Sequence, residues 1–203
     1  MAIKIPFQVG ITGGIGSGKS IVARLFSMYD VPVYESDTEA RKLYLRPEIR
    51  EKVIHLLGSK SYNENMKPDT AFIAGQIYAD PVKREKLNSI LHPAVALHYQ
   101  SWLKQQHHPY VLKVAALLFE ADIAKHLDYL VLIISTQNLK EERVEKRDRF
   151  RSKDQIQKIM ESQWNDEKKI PLADSILYND EDHSLIEQVD NLNRQILTKA
   201  STL

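Results

Sequence analysis

From Gly13 to Ser20 the chain reads Gly-Gly-Ile-Gly-Ser-Gly-Lys-Ser, which satisfies the pattern G-x-x-x-x-G-K-[ST]. Residues of these types at this spacing suit phosphate binding. Backbone N–H groups can turn inward on phosphate oxygens, and a helix opening at the lysine adds positive partial charge there. Lys19 is placed to reach the β- and γ-phosphates of a nucleotide, and the Ser20 hydroxyl to ligate Mg²⁺. The pattern arises by chance in roughly one chain in a hundred of this length. The plainer alternative is a glycine-rich turn with an exposed lysine.

Two further groups bear on what happens to a bound phosphate. Asp37 follows an apolar run, Val31 to Tyr34, that reads as a strand. A carboxylate at that strand's carboxyl edge can accept a proton from an attacking hydroxyl and help place Mg²⁺ through water. Glu35 is a weaker candidate for the same place, and Asp37 can equally well cap a helix beginning near Thr38. The second group is the basic run from Lys140 to Lys153. Its seven cations and four anions leave a local +3. A lid carrying such charge over a γ-phosphate would stabilise phosphoryl transfer and exclude water. Arg143, Arg147 and Arg151 recur every four residues and share one face if a single helix runs that far. Most of the run also fits a solvated helix with pairs such as Glu142–Lys146.

Short β-branched runs alternate with helical patterns, the mark of a parallel α/β sheet. Strands are expected at Phe7 to Ile11, Val31 to Tyr34, Tyr110 to Val114, Tyr129 to Ile134 and Ser175 to Tyr178, with Pro32 putting the second at an edge. The glycine-rich loop therefore joins the first strand to a helix carrying Ile21, Val22, Leu25 and Phe26. Residues 69–106 give three helical patterns with breaks at Asp80-Pro81 and His92-Pro93. They form a helical insertion of about 60–108 within one domain of 1–203. Residues 138–165 give a helical pair, its second helix opening with the capping box Ser152/Gln155. A last helix from Ser184, with Glu187 completing another box, sets Leu185, Ile186, Val189, Leu192, Ile196 and Leu197 on one face.

The 203 residues carry a net charge of +1, so no general field draws the chain to nucleic acid or anionic lipid. The absence of cysteine excludes disulfides and thiolate chemistry and fits a reducing cytoplasm. No apolar run approaches the ~20 residues of a membrane span, and no signal peptide is evident. No obligate protein partner is indicated.

Read in order, Gly-Ile-Thr-Gly-Gly-Ile-Gly-Ser-Gly-Lys-Ser (10–20), Ser-Asp-Thr-Glu-Ala-Arg (36–41), Leu-Asn-Ser-Ile-Leu-His-Pro (87–93), Leu-Leu-Phe-Glu (117–120), Lys-Arg-Asp (146–148) and Ala-Asp-Ser-Ile-Leu-Tyr-Asn (173–179) resemble the dephospho-CoA kinases. The glycine loop is shared with many kinases. The His-Pro after a helical insertion, with Leu-Leu-Phe-Glu on the next strand, is more specific. The resemblance implies a P-loop NTPase three-layer fold, a five-stranded mostly parallel sheet with a helical acceptor-binding insertion and a helical lid. It implies transfer of phosphate from ATP, with Mg²⁺, to the ribose 3′-hydroxyl of 3′-dephospho-CoA. ATP would lie on Gly14, Ile15, Gly16, Ser17, Gly18, Lys19, Ser20 and Ile21, with Arg147 as the lid arginine. The acceptor would lie on Asp37, the general base, with Arg41, His92 and Leu118.

Four positions depart from the family's pattern. Ile21 stands where a second Ser or Thr is usual, Glu35 replaces an aspartate, and Ala116 replaces a proline. Lys169 stands near an expected arginine, whose bidentate contact a lysine cannot reproduce. Two other functions fit the glycine loop: a kinase of the same fold acting on another metabolite, and a nucleotide switch that hydrolyses ATP to move a partner.

Overall fold

The computed structural model describes residues 5–148 and 152–202, so Arg149 and Arg151 of the basic run lie outside it. Its centre is a five-stranded parallel sheet of β1 (Phe7–Thr12), β2 (Val33–Glu35), β3 (Tyr110–Val114), β4 (Tyr129–Ile134) and β5 (Ser175–Tyr178). The strands lie in the order β2-β3-β1-β4-β5, so β2 is indeed an edge strand. Both neighbours of β1 are parallel to it, with Val9 opposite Leu112 on one side and Tyr129 on the other. A strand covered on both faces needs apolar residues throughout, which explains why β4, Tyr-Leu-Val-Leu-Ile-Ile, reads as a continuous run rather than an alternation.

One face of the sheet packs on α1 (Lys19–Ser27) and, at the far end of the chain, α9 (Leu185–Ser201). Val9, Ile11, Val22, Phe26, Leu112, Val131, Ile133 and Ile196 are completely buried there. Each such side chain contributes about 1.5–3 kcal/mol on leaving water. The Tyr110 hydroxyl crosses this core to donate to Asn193 Oδ1 at 2.6 Å. Ser184 caps α9, accepting from the Glu187 N–H, but among the described residues no return bond to the Glu187 carboxylate completes the expected box. Ile186 does not join the buried stripe: it is 67% exposed, lying on the helix side turned from the sheet.

Glu35–Gln105 form a compact unit of their own, apart from the sheet-bearing unit of residues up to Tyr34 and from Gln106 onward. It holds α2 (Ser36–Leu43), α3 (Pro47–Leu57), α4 (Thr70–Ala79) and α5 (Pro81–Leu103). Ile49, Val53, Leu57, Tyr62, Ile73, Leu87 and Leu91 make its core. Helix α3 belongs to that core, so the helical unit takes in residues ahead of position 60. Asp80 separates α4 from α5 as the sequence suggests. Its carboxylate accepts from the N–H groups of Val82 and Lys83, and Pro81 opens the helix where no N–H is missed.

The second expected break does not occur. Helix α5 runs 23 residues straight through Pro93. The proline removes one bond to the Ser89 carbonyl, a cost of about 3 kcal/mol. Burial on both sides of it, Leu87 and Leu91 before and Tyr99 and Leu103 after, holds the helix together. A further difference concerns Leu117 to Glu120. Strand β3 ends at Val114, and these four residues form turns in which the Ala121 N–H donates to Leu117 O and that of Asp122 to Phe119 O. Among the described residues no helix is long and apolar enough to cross a membrane.

One buried cation gives the sheet a pH signature. Lys113 on β3 is 7% exposed, and burial pushes its ammonium down to about 8 from 10.5. Between these values the unfolded chain binds the proton that the folded chain has lost, so stability rises with pH. Burial pushes Tyr44 and Tyr62 up to about 12, so above pH 10 the unfolded chain ionises first and stability falls. Urea unfolding from pH 7.5 to 11 should therefore show a maximum near pH 10. Lys113→Met should remove the rise, on the order of 2 kcal/mol, and keep the fall. Equal slopes in the two proteins below pH 10 would refute this assignment.

Candidate phosphate-binding site

The loop from Gly13 to Gly18 joins the end of β1 to α1, so β1 fixes one end of it and the helix N-terminus the other. Gly16 and Gly18 have φ of 81° and 94°, in the left-handed region that glycine adopts without strain. Neither position has room for a side chain. A Cβ at Gly16 would stand 2.4 Å from the Lys140 carbonyl oxygen, and one at Gly18 would stand 1.9 Å from Asn179 Nδ2. Two other parts of the sheet-bearing unit thus pack directly on the loop: α6 (Gln137–Arg147) and the residue following β5.

These neighbours brace the loop with hydrogen bonds. Asn179 Nδ2 donates to Ser17 O at 2.8 Å, while its own carbonyl accepts from Ser135 Oγ and Arg143 Nη1. Arg143 Nη1 also donates to Ser135 Oγ at 2.9 Å. The Ile15 N–H donates to Gln163 Oε1 at 2.8 Å. Lys19 Nζ curls over the loop and donates to Gly13 O and Gly14 O at 2.7 and 3.0 Å. Among the described residues no acceptor meets the N–H groups of Gly16, Gly18 and Ser20. Free N–H groups and an ammonium at a helix N-terminus form an anion site.

The donor set also fits a magnesium ion that arrives with the nucleotide. Ser20 lies exposed on the first turn of α1, its hydroxyl bonded to no described residue. Among the described residues there is no cluster of three His, Asp or Glu able to hold a metal alone. One hydroxyl plus phosphate oxygens and water is the usual environment of Mg²⁺ in such sites.

The other expected residues fare differently. Helix α2 begins at Ser36 with Glu35 as its N-cap residue, so Asp37 is the second helical residue rather than the cap. It is exposed, as is Arg41 one turn on. The Glu35 carboxylate is occupied by Thr38 Oγ1 at 2.9 Å. His92 lies exposed in mid α5, yet loss of water around its ring lowers its pKa below the ordinary value. Leu118 does not line a site: it is completely buried, its Cδ1 standing 2.9 Å from where a Gly10 Cβ would be. Its carbonyl is taken by the N–H groups of Ile123 and Ala124, and the exposed residue of that turn is Leu117.

The arginine row is not a single face. Helix α6 stops at Arg147, which forks onto the Asp148 carboxylate at 2.9 and 3.1 Å with its side chain 61% exposed. Arg143 turns inward to Asn179, and Arg151 lies outside the described residues. Lys169 is completely buried in α8 (Asp166–Lys169), 2.9 Å from the Glu120 carboxylate. The neighbouring helix α7 (Lys153–Glu161) opens with the expected capping box, Ser152 and Gln155 each bonding the other's backbone. Spacing gave no hint of Gln163. Lys140 carried one: no carboxylate lies three or four residues from it on the helix.

A parallel sheet of this order, with a strand–glycine loop–helix at its centre and an ammonium at the loop, defines a P-loop kinase fold. The solved structures agree. A shikimate kinase from Acinetobacter baumannii shares that fold at 14% identity, with a TM-score of 0.55 over 98% of this chain and 97% of its own. The Thermus thermophilus protein TT1252 is closer, with a TM-score of 0.83 at 26% identity over 97% of this chain and 98% of its own. The dephospho-CoA kinase family model matches residues 7–187, and the chain belongs to that family. The dephospho-CoA kinase of Bacteroides fragilis is 35% identical over 93% of this chain and 90% of its own length. That of Mannheimia succiniciproducens is 34% identical over 94% and 88%.

The steric demand at Gly16 can be measured apart from any activity. Gly16→Ala should destabilise the protein by about 1–3 kcal/mol, since it strains a left-handed residue and pushes on α6. Gly75→Ala in α4 meets open space and should stabilise by ~0.5–1 kcal/mol. Urea unfolding of both variants decides. Similar effects of the two would show that α6 does not press on the loop.

Proposed function

We propose that the chain phosphorylates the ribose 3′-hydroxyl of 3′-dephospho-CoA with ATP, giving coenzyme A and ADP, in the cytoplasm. Membership of the dephospho-CoA kinase family over residues 7–187 is the observation that carries this reading. The glycine loop supplies its phosphate site. Gly14 to Ile21 hold the nucleotide phosphates, with Lys19 on their outer oxygens. Ser20 would hold the Mg²⁺, which would supply positive charge to offset charge developing on the phosphates. The acceptor oxygen forms its bond to Pγ as the bond from Pγ to the bridging oxygen of ADP breaks. Asp37, free on the first turn of α2, takes the hydroxyl proton. Arg41 and His92 bind the anionic acceptor, and Arg147 bears on the nucleotide phosphates.

A panel of acceptors at fixed MgATP tests the acceptor. Binding energy from the long pantetheine arm can orient the 3′-hydroxyl, which AMP and adenosine lack the means to do. Dephospho-CoA should exceed both by a factor on the order of 10² or more in kcat/KM. Preference for AMP would leave a kinase with another substrate, and equal ADP release without any acceptor would make the protein a switch.

The general base has its own test. Asp37→Asn keeps size and removes charge. MgATP affinity should hold while transfer falls by about 10²–10⁴, and the acid limb of the kcat/KM profile should disappear. A variant that retains both rate and acid limb would return Asp37 to the helix surface.

A further inference from the structure

Lys140 is a cation where a structural residue would more simply be neutral. It is 8% exposed, and its ammonium pairs with the Asp166 carboxylate at the start of α8. Taking both charges from water costs several kcal/mol, which their attraction offsets only in part. The position of the ammonium is informative. It stands 3.6 Å from the point a Gly14 Cβ would occupy, over the same loop residue whose carbonyl accepts from Lys19 Nζ. Two ammonium groups, those of Lys19 and Lys140, therefore converge on one glycine loop. The root of Lys140 packs on the loop: its backbone carbonyl and Cα lie 2.4 and 2.8 Å from where a Gly16 Cβ would stand. Its four-carbon stem is free to redirect the charge.

We propose that Lys140 is a ligand of the nucleotide phosphates, with Asp166 holding its ammonium at the loop until the polyphosphate replaces it as counter-ion. This rests on the glycine loop binding ATP. Two consequences follow from charge alone. Removing the ammonium takes away an attraction to phosphate in a poorly solvated place, where it is strong. Removing the carboxylate charge takes away a competitor for the same ammonium. The two members of the pair should thus act on ATP with opposite signs, whereas a structural tether is broken equally by loss of either end.

The experiment is titration calorimetry of MgATP with wild type, Lys140→Gln, Lys140→Arg and Asp166→Asn, with unfolding monitored on each. Lys140→Gln should raise the Kd about tenfold or more, and Lys140→Arg should restore most of it. Asp166→Asn should lower the Kd several-fold even if it lowers Tm. Adenosine, which has no phosphate, should bind all four alike. If Lys140→Gln and Asp166→Asn both weaken MgATP, the pair is a tether and the proposal fails. If Lys140→Gln binds as wild type does, it fails as well. Should Lys140→Gln not fold, the sign of the Asp166→Asn effect decides by itself. A wild type that does not bind MgATP at all would instead overturn the reading of the glycine loop.

Discussion

Left-handed backbone at Gly16 and Gly18 is the constraint on which the site depends. With φ positive at both, the loop turns tightly enough for its N–H groups to face inward, and with no Cβ at either its outer side stays thin. That thinness lets the Lys140 backbone and the Asn179 amide reach van der Waals range. Once there, Asn179 ties the Ser17 carbonyl to Ser135 and Arg143, so β1, β4, β5 and α6 all meet at the loop. A larger residue at either glycine would separate these parts before it touched any phosphate. The preorganisation of the site is therefore a matter of packing behind the loop as much as of the residues within it.

Much of this was legible beforehand, for identifiable reasons. Three of the five strands have the expected limits because they are short, apolar and bounded by turn residues, and β1 runs one residue further, to Thr12. The caps at Asp80, Ser152 and Ser184 are local, each made within three residues. What eluded sequence reasoning is non-local. Pro93 looks like a break until the burial of Leu87, Leu91, Tyr99 and Leu103 on either side is known. Leu118 looks available until Gly10, over a hundred residues earlier, leaves space for it. The partners of Gln163 and Asn179 are Ile15 and Ser17, far off in the chain, and no periodicity encodes such pairs.

The basic run shows how charge can be read more finely than by net count. Lys146 has Glu142 one turn away and pairs with it on the surface, which is the solvated arrangement. Lys140 and Arg143 have no carboxylate at three or four residues in either direction. Both turn inward, Lys140 to Asp166 and Arg143 to the Asn179 carbonyl. A helix cation without a helical counter-charge must find one elsewhere or stay in water, and here tertiary structure supplies it. The +3 of the run is thus not spread evenly over a surface. Part of it is directed at the glycine loop.

Lys169 shows the same logic where the match is imperfect. Glu120 receives the Trp164 N–H on Oε1 at 2.9 Å, and the Lys169 ammonium approaches that same oxygen. The approach is out of line for a hydrogen bond, and Oε2 is buried with no partner among the described residues. A lysine is a point charge on a flexible stem and can satisfy the carboxylate's charge without satisfying both its oxygens. A planar guanidinium would fork across the two. The pair is therefore held by charge more than by geometry, with one carboxylate oxygen left orphaned. That keeps Lys169 inside the protein as a counter-ion for Glu120. It leaves the positive charge at the glycine loop to Lys19 and Lys140.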